Sequence, residues 1–357
     1  MRLAASLILC ALSLSSLAAE PSLNLYNWAD YVPQEALKRF QRDTGIQVRY
    51  DTFDSSEVLE SKLLTGGSGY DIVFPSSSVL ARAISAKAVQ PLGALSNSGN
   101  LDPELLAKLA SSDPGNVHGV PYTWGTIGLG LNRQAVEKRL PGVELDSLDL
   151  LFKPEYASKL KDCGIAVLDS PQEVVAIALN YLGRPPYAGT AEDLQAVQQL
   201  LAELQPNLRY IGQSRQIDDL AKGEICLALT YTGDASMAAA RAIESKQPFS
   251  VVYRIPREGT LIWFDTMAIP VDAPHPEAAR AFIDYMLKPE SIAELTNALY
   301  FANANRAATP LLDVAVSGDP NIYPDAEVRS RLFAEQTLPL REMRQRTRLW
   351  TAFRTQY

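Results

Sequence analysis

The sequence predicts an α/β protein of two domains, with mostly parallel strands covered by helices. Three observations predict it. The chain has 357 residues and a mass of 39.1 kDa, against roughly 100–200 residues for one ordinary domain. Its composition, 47% apolar and 21% charged, is that of a globular protein with a sizeable core. From residue 23 onward, short apolar runs alternate with amphipathic helical segments, the order of βαβ units.

The first 19 residues (MRLAASLILCALSLSSLAA) carry Arg2, an apolar run over 3–14, and small residues before Glu20. This is the pattern of a cleaved signal peptide, so the mature chain is expected outside the cytoplasm. The run falls short of the ~20 residues of a spanning helix. Cys10 would leave with the signal; Leu9 before it is not the small residue of a lipoprotein site. Cys163 and Cys226 remain, and an even count in an exported chain favours a disulfide over two buried thiols.

Residues 23–26 (LNLY) read as the first strand and 33–42 as a helix, with Pro33 near its first turn and Gly45 just past its end. A strand follows at 47–52. The helix at 54–65 opens on Asp54 with Glu57 three places on, like a capping box. Residues 70–74 (YDIVF) make a buried strand, and Pro75-Ser76-Ser77-Ser78 opens a helix. Ligands of such sheets bind beyond the carboxyl ends of strands, which puts residues 27–30 and 75–77 in binding positions. Strands are read at 126–131 (leaving the first domain), 164–168, 224–230 and 261–269, and helices at 171–182, 191–204, 276–287, 291–299 and 341–355. An Ala-rich helix follows Tyr231-Thr232-Gly233-Asp234. No Ser/Gly-rich linker divides the chain, so it is expected to cross between its domains more than once.

The net charge of −8 (33 Lys+Arg against 41 Asp+Glu) argues against a free-standing nucleic-acid binder. Two histidines and three cysteines are little material for a zinc site. There is no G-x-S-x-G elbow, Walker loop, H-E-x-x-H or dinucleotide glycine motif after a strand. No cofactor is expected and no catalytic residue is assigned. His118 and His275 lie in polar loops and read as surface residues. What recurs is an aromatic residue with a carboxylate near a strand end: Trp28 with Asp30, Tyr231 with Asp234, Trp263 with Asp265. Glu173 adds a carboxylate at a helix start. Any one pair arises readily by chance; three together point to a site for an organic cation. A ring face attracts an ammonium by ~0.5–2 kcal/mol, and carboxylates add charge-assisted hydrogen bonds. Several carboxylates with no basic partner call for a ligand of more than one positive charge.

Tyr26-Asn27-Trp28-Ala29-Asp30-Tyr31-Val32 resembles the YNW-x-(D/E)-Y-(I/V) opening of bacterial periplasmic polyamine-binding proteins of ABC uptake systems. The likeness continues through 69–76 (GYDIVFPS), 168–174 (LDSPQEV), 180–183 (NYLG), 232–234 (TGD), Phe264-Asp265 and 302–310 (ANANRAATP). It covers essentially the whole mature chain, with the putrescine-preferring branch most similar. The resemblance implies the two-lobed type II periplasmic binding-protein fold, with the ligand cleft between the lobes. Lobe 1 would hold residues 20–131 and 260–305, lobe 2 residues 132–259 and 306–357, closing about a hinge of crossing strands. It implies ligand contacts at Trp28, Asp30, Ser76, Glu173, Tyr231, Asp234, Trp263, Asp265 and Phe301. Tyr31 matches a contact of the spermidine branch. A Cys163–Cys226 bridge is implied as well.

The acids are those of the putrescine branch, but Ala29 stands where Ser is usual, Tyr231 where Trp is, Trp263 where Phe is and Phe301 where Tyr is. The function implied is a non-enzymatic receptor, monomeric and periplasmic. It would bind a linear di- or polyamine (putrescine, agmatine, cadaverine or spermidine) and deliver it to an inner-membrane ABC permease, with no nucleic-acid partner. Two other readings stay open on sequence alone: a periplasmic polyamine sensor for a membrane signalling protein, and the same fold holding a different amine or an amino acid. A carboxylate-bearing ligand would call for an arginine or backbone-amide clamp, and no Arg stands among these positions.

Overall fold

The seven expected apolar runs become strands of one continuous 11-stranded sheet, and four short strands that were not expected join them. They are β1 (Ser22–Trp28), β2 (Gln47–Phe53), β3 (Ile72–Val73), β4 (Val89–Gln90), β5 (Gly119–Asn132), β6 (Ile165–Val167), β7 (Tyr210–Ile211), β8 (Leu227–Tyr231), β9 (Val251–Arg254), β10 (Leu261–Pro270) and β11 (Phe333–Ala334). The structure, a computed structural model, describes residues 21–29 and 31–355; the signal segment 1–19 and the candidate ligand Asp30 lie outside the described residues. The order is β2-β1-β3-β10-β5-β8-β6-β7, with β4 and β11 on β10 and β9 on β5. Both flanks, β2-β1-β3 and β8-β6-β7, are parallel, as strand–helix alternation predicts. The centre is antiparallel, because β5 and β10 run against each other and against their neighbours β3, β8 and β9.

Strand β5 is longer than the expected run at 126–131. It starts at Gly119 and is buried at all 14 positions. Residues 119–125 (GVPYTWG) carry a proline, two glycines and no clean alternation. The strand exists because β10 pairs along it, a tertiary cause. Beyond Ile127 the same strand leaves β10 and pairs with β8 and β9. β5 thus joins the two parallel flanks of the sheet.

Helices cover the sheet through short apolar stripes. Gln34–Thr44 buries Ala36, Leu37 and Phe40 and stops at Gly45, whose φ of 73° supplies the left-handed turn. The helix Ser56–Thr65 departs from expectation at its start. Ser55, not Asp54, is the N-cap: its extended backbone brings Oγ to accept from the Val58 N–H. Pro171–Tyr181 buries every residue from 174 to 179. The terminal helix Leu340–Thr355 buries Arg346, Trp350 and Phe353. No described helix is long and apolar enough to cross a membrane.

Each histidine pairs with a buried aspartate, His118 being half-buried and His275 exposed as expected. His118 Nδ1 lies 3.0 Å from Asp113 Oδ1, and His275 Nδ1 lies 3.1 Å from Asp71 Oδ2. Both aspartates are fully buried and also accept backbone N–H bonds from the histidine segments. Sequence separation hides the second pair, since Asp71 and His275 meet only through the sheet. Cys163 and Cys226 form a disulfide with Cα atoms 5.4 Å apart.

Candidate ligand-binding site

The site lies where strands from both flanks end beside the central pair. β1 ends at Trp28, β3 leads to Ser76, and β8 ends at Tyr231. β10 carries Trp263 and Asp265, two residues apart and so on one face of the strand. A register shift between Asp265 and Thr266 locally re-aims the chain there, and Asp265 forms an isolated bridge to Ser76.

Asp265 is the most buried of the described candidate acids, 8% exposed. The Tyr31 hydroxyl donates to its Oδ2 at 2.9 Å and lies 2.8 Å from Thr123 Oγ1, while Tyr31 O accepts from Tyr122 at 2.7 Å. Tyr31 therefore stands behind Asp265 and holds it. Burial pushes the Asp265 carboxyl up to about 7, the Tyr31 bond opposes that, and the charge of Glu335 adds to it. Ser76 is the N-cap of the helix Ser77–Ser85 and leaves its side chain out of the capping bond; its Oγ lies 3.4 Å from Ser78 Oγ.

Across the site, Glu173 sits in the first turn of Pro171–Tyr181 and accepts from the Tyr231 hydroxyl at 2.7 Å. Burial, then the Glu335 charge, raise it to about 7. Asp234 sits in the first turn of Thr232–Glu244, and burial raises it to about 6. No lysine or arginine charge is among the causes acting on Glu173, Asp234 or Asp265. Three half-buried or buried acids without a cationic partner are a site waiting for positive charge.

Aromatic rings wall this group. Trp263 meets Tyr231 edge-on at 6.1 Å and Phe301 at 5.3 Å, and Phe301 lies 5.4 Å from Tyr31. Trp28 packs on Phe53 at 4.5 Å, and its indole stands close enough to Asp265 to favour the charged carboxylate. Two glycines make room for the rings. A Cβ on Gly125 would enter the Trp263 indole, and one on Gly233 would enter the Phe301 ring. Every described candidate thus gathers in one place. Sequence reasoning missed Thr123 and Tyr122, hidden in the irregular half of β5. It also missed Glu335, although Phe333 stands two places before it, the spacing of Trp28 with Asp30 and of Trp263 with Asp265.

The bacterial extracellular solute-binding protein family model matches residues 35–324. The chain is 46% identical to the putrescine-binding periplasmic protein SpuD of Pseudomonas aeruginosa, covering 93% of this chain and 92% of that protein. It is 44% identical to the putrescine-binding periplasmic protein PotF of Escherichia coli, over 96% and 94%. Among solved structures, the spermidine/putrescine ABC transporter substrate-binding protein PotD of Streptococcus pneumoniae superimposes with a TM-score of 0.83 at 29% identity, over 94% of this chain and 99% of that one. Fold, site and relatives agree: this chain belongs to the bacterial extracellular solute-binding protein family, with the two-lobed α/β fold of the periplasmic binding proteins.

Proposed function

We propose that this protein captures a linear di- or polyamine in the periplasm and delivers it to an inner-membrane ABC permease, acting as a monomer and without chemistry on its ligand. The observation that carries the reading is the set Glu173, Asp234 and Asp265, acids held among aromatic rings with no basic partner. The relatives' names as putrescine-binding periplasmic proteins support it. An amine supplies what the pocket lacks, ammonium charge for the carboxylates and a methylene chain for the rings.

In this reading, Trp28, Trp263 and Tyr231 sandwich the methylene chain, with Phe301 closing the wall. Asp234 and Asp265 bind the amines together with Asp30, and Ser76 and Glu173 assist. Tyr31 acts through Asp265. The lobes are residues 20–131 with 260–305, and 132–259 with 306–357; β5 leads from the first to the second, and the chain returns just before β10. Part of the last segment also leans on lobe 1, where Lys108 donates to the Leu332 carbonyl at 3.1 Å and Arg329 pairs with Glu104 at 3.0 Å. Closure on the ligand presents the surface that the permease reads.

The test is calorimetric titration of the refolded, ligand-stripped mature protein with putrescine, cadaverine, agmatine, spermidine and spermine. γ-Aminobutyrate and arginine are the controls. Binding of an amine, lost in Asp234→Ala and Asp265→Ala, is the expected result. A folded protein that binds none of the amines, or binds a control better, sinks the ligand class.

A further inference from the structure

The terminal helix Leu340–Thr355 carries five arginines, and two of them face the protein body. Arg346 is 1% exposed and donates to the carbonyls of Pro186 at 3.1 Å and Ala188 at 3.3 Å. Arg354 pairs at 2.8 Å with Asp169, whose other oxygen accepts from the Trp350 indole at 2.7 Å. These bonds fix the helix to the segments on either side of Pro171–Tyr181. Arg341, Arg344 and Arg348 stand on its outward face. At about 100° per residue they fall within an arc of about 60°, opposite the buried Arg346, Trp350 and Phe353, and they span about 10 Å of helix. All three are exposed. Among the described residues none of them has an ion-pair or side-chain hydrogen-bond partner.

A solvated helix face does not call for this arrangement. Other helices of the chain set acid beside base one turn apart: Glu35 with Lys38, Arg133 with Glu137, Glu277 with Arg280. Each arginine of the stripe instead has another arginine three or four places away, and no acid at those spacings. Like charges so placed repel, and Arg341, in the first turn, also opposes the helix dipole. The helix's one acid, Glu342, lies beside Gly189 instead. All this occurs in a chain of net charge −8. The stripe is a local reversal of the molecule's charge, left unneutralised and held on a fixed helix. Its complement is anionic. A lipid surface fits poorly, since membrane-binding basic clusters use about 4–8 residues and an anionic membrane repels the rest of this molecule. A short acidic stretch of polypeptide fits the length, and guanidinium groups pair with carboxylates two bonds at a time.

We infer that Arg341, Arg344 and Arg348 form a docking surface for an acidic segment of a protein partner, on the permease's outer face. This inference rests on the delivery reading above. The buried side of the helix positions the surface, and the stripe takes no part in holding the amine.

The experiment adds purified mature protein to spheroplasts that carry the permease and lack this protein. It reads uptake of the tightest-binding amine of the panel above against protein concentration. Replacing all three arginines (Arg341→Gln, Arg344→Gln, Arg348→Gln) should raise the half-saturating protein concentration by about tenfold, and added salt should narrow the difference from wild type. Amine affinity by calorimetry should stay within about twofold. The melting temperature should not fall, because the substitutions relieve repulsion. A control triple at exposed lysines (Lys138→Gln, Lys159→Gln, Lys222→Gln) makes the same change of charge elsewhere and should leave uptake as it is. Unchanged half-saturation in the arginine triple would overturn the inference. So would an equal rise in the control, which assigns the effect to total charge, or a parallel loss of amine affinity, which assigns the arginines to the pocket. Binding of the wild type, but not of the arginine triple, to phosphatidylglycerol vesicles would replace the acidic segment by the membrane. A wild type that binds amine and restores no uptake removes the delivery reading, and this step with it; uptake restored equally by all three proteins removes this step alone.

Discussion

Asp265 and Glu173 carry the residue-scale argument, because each is an acid kept among apolar groups without a counter-ion. Asp265→Asn or Asp234→Ala should cost ~2–5 kcal/mol of amine affinity, since the ligand's charge would be left unpaired in the pocket; calorimetry at fixed salt reads this directly. Tyr31→Phe removes the hydroxyl held 2.9 Å from Asp265. It should cost less, ~1.5–3 kcal/mol, as the loss of one hydrogen bond to a charged group. The raised acids also set a pH dependence. Burial raises Glu173 and Asp265 to about 7 and Asp234 to about 6 in the unliganded pocket. A dication needs them ionised, so binding releases protons. Affinity should fall as pH drops through 7 and then 6, by up to ~10-fold per pH unit for each group that must give up its proton. The sign is opposite for the stability of the unliganded protein. These acids have folded values above their unfolded ones, so their stability contribution is full below about pH 4 and is lost as pH rises through 7. The melting-temperature gain from ligand should therefore widen between pH 5 and 8. A gain that shrinks over that range would refute the assignment of these acids to the ligand.

At the scale of elements, the site depends on strand ends and on two glycines that admit rings. Gly233 opens the helix Thr232–Glu244 directly under Phe301. In the proposed lobes these residues lie on opposite sides of the cleft. Gly233→Ala would push the ring away, with an overpacking cost of ~1–3 kcal/mol expected to appear as weaker ligand binding. Adding Phe301→Ala should relieve the clash and remove the difference that the alanine makes. If Gly233→Ala binds as the wild type does, the ring does not close the wall. The disulfide acts on a longer element. It joins residues 63 apart, and the chain-entropy model gives such a loop ~4 kcal/mol. Replacing both Cys163 and Cys226 by alanine should lower unfolding free energy by about that amount in urea titration, with little effect on affinity, because neither cysteine lines the site.

For the whole molecule, the proposed lobes meet at the centre of the continuous sheet, where β5 passes from β10 to β8 and β9. Ligand binding should narrow the cleft, and small-angle scattering should show a smaller radius of gyration with amine than without. An unchanged radius would mean that binding does not need closure. The net charge of −8 favours capture of cations. Screening works over ~8–10 Å near physiological salt, so the association rate should fall with ionic strength more steeply than the dissociation rate rises.

Much of this protein was legible from its residues in order. The alternation of apolar runs with amphipathic helical segments predicts the parallel flanks, since a strand–helix–strand unit brings its strands side by side in parallel. The recurring aromatic–acid pairs point to the proposed cation site, because three such pairs near strand ends arise less readily by chance than one. The rest needed three dimensions. Strand β5 takes its first half from β10, which no local pattern encodes. Tyr31 becomes a support for Asp265 only because residues 234 apart in sequence meet. His275 finds Asp71 across the sheet. Glu335 joins Glu173 from the segment after β11, near the end of the chain, and only the fold brings the two together. Local sequence determines which side chains are apolar, charged or turn-forming. Only the packing of distant segments decides which charges are left without a partner, and those unpartnered charges make the site.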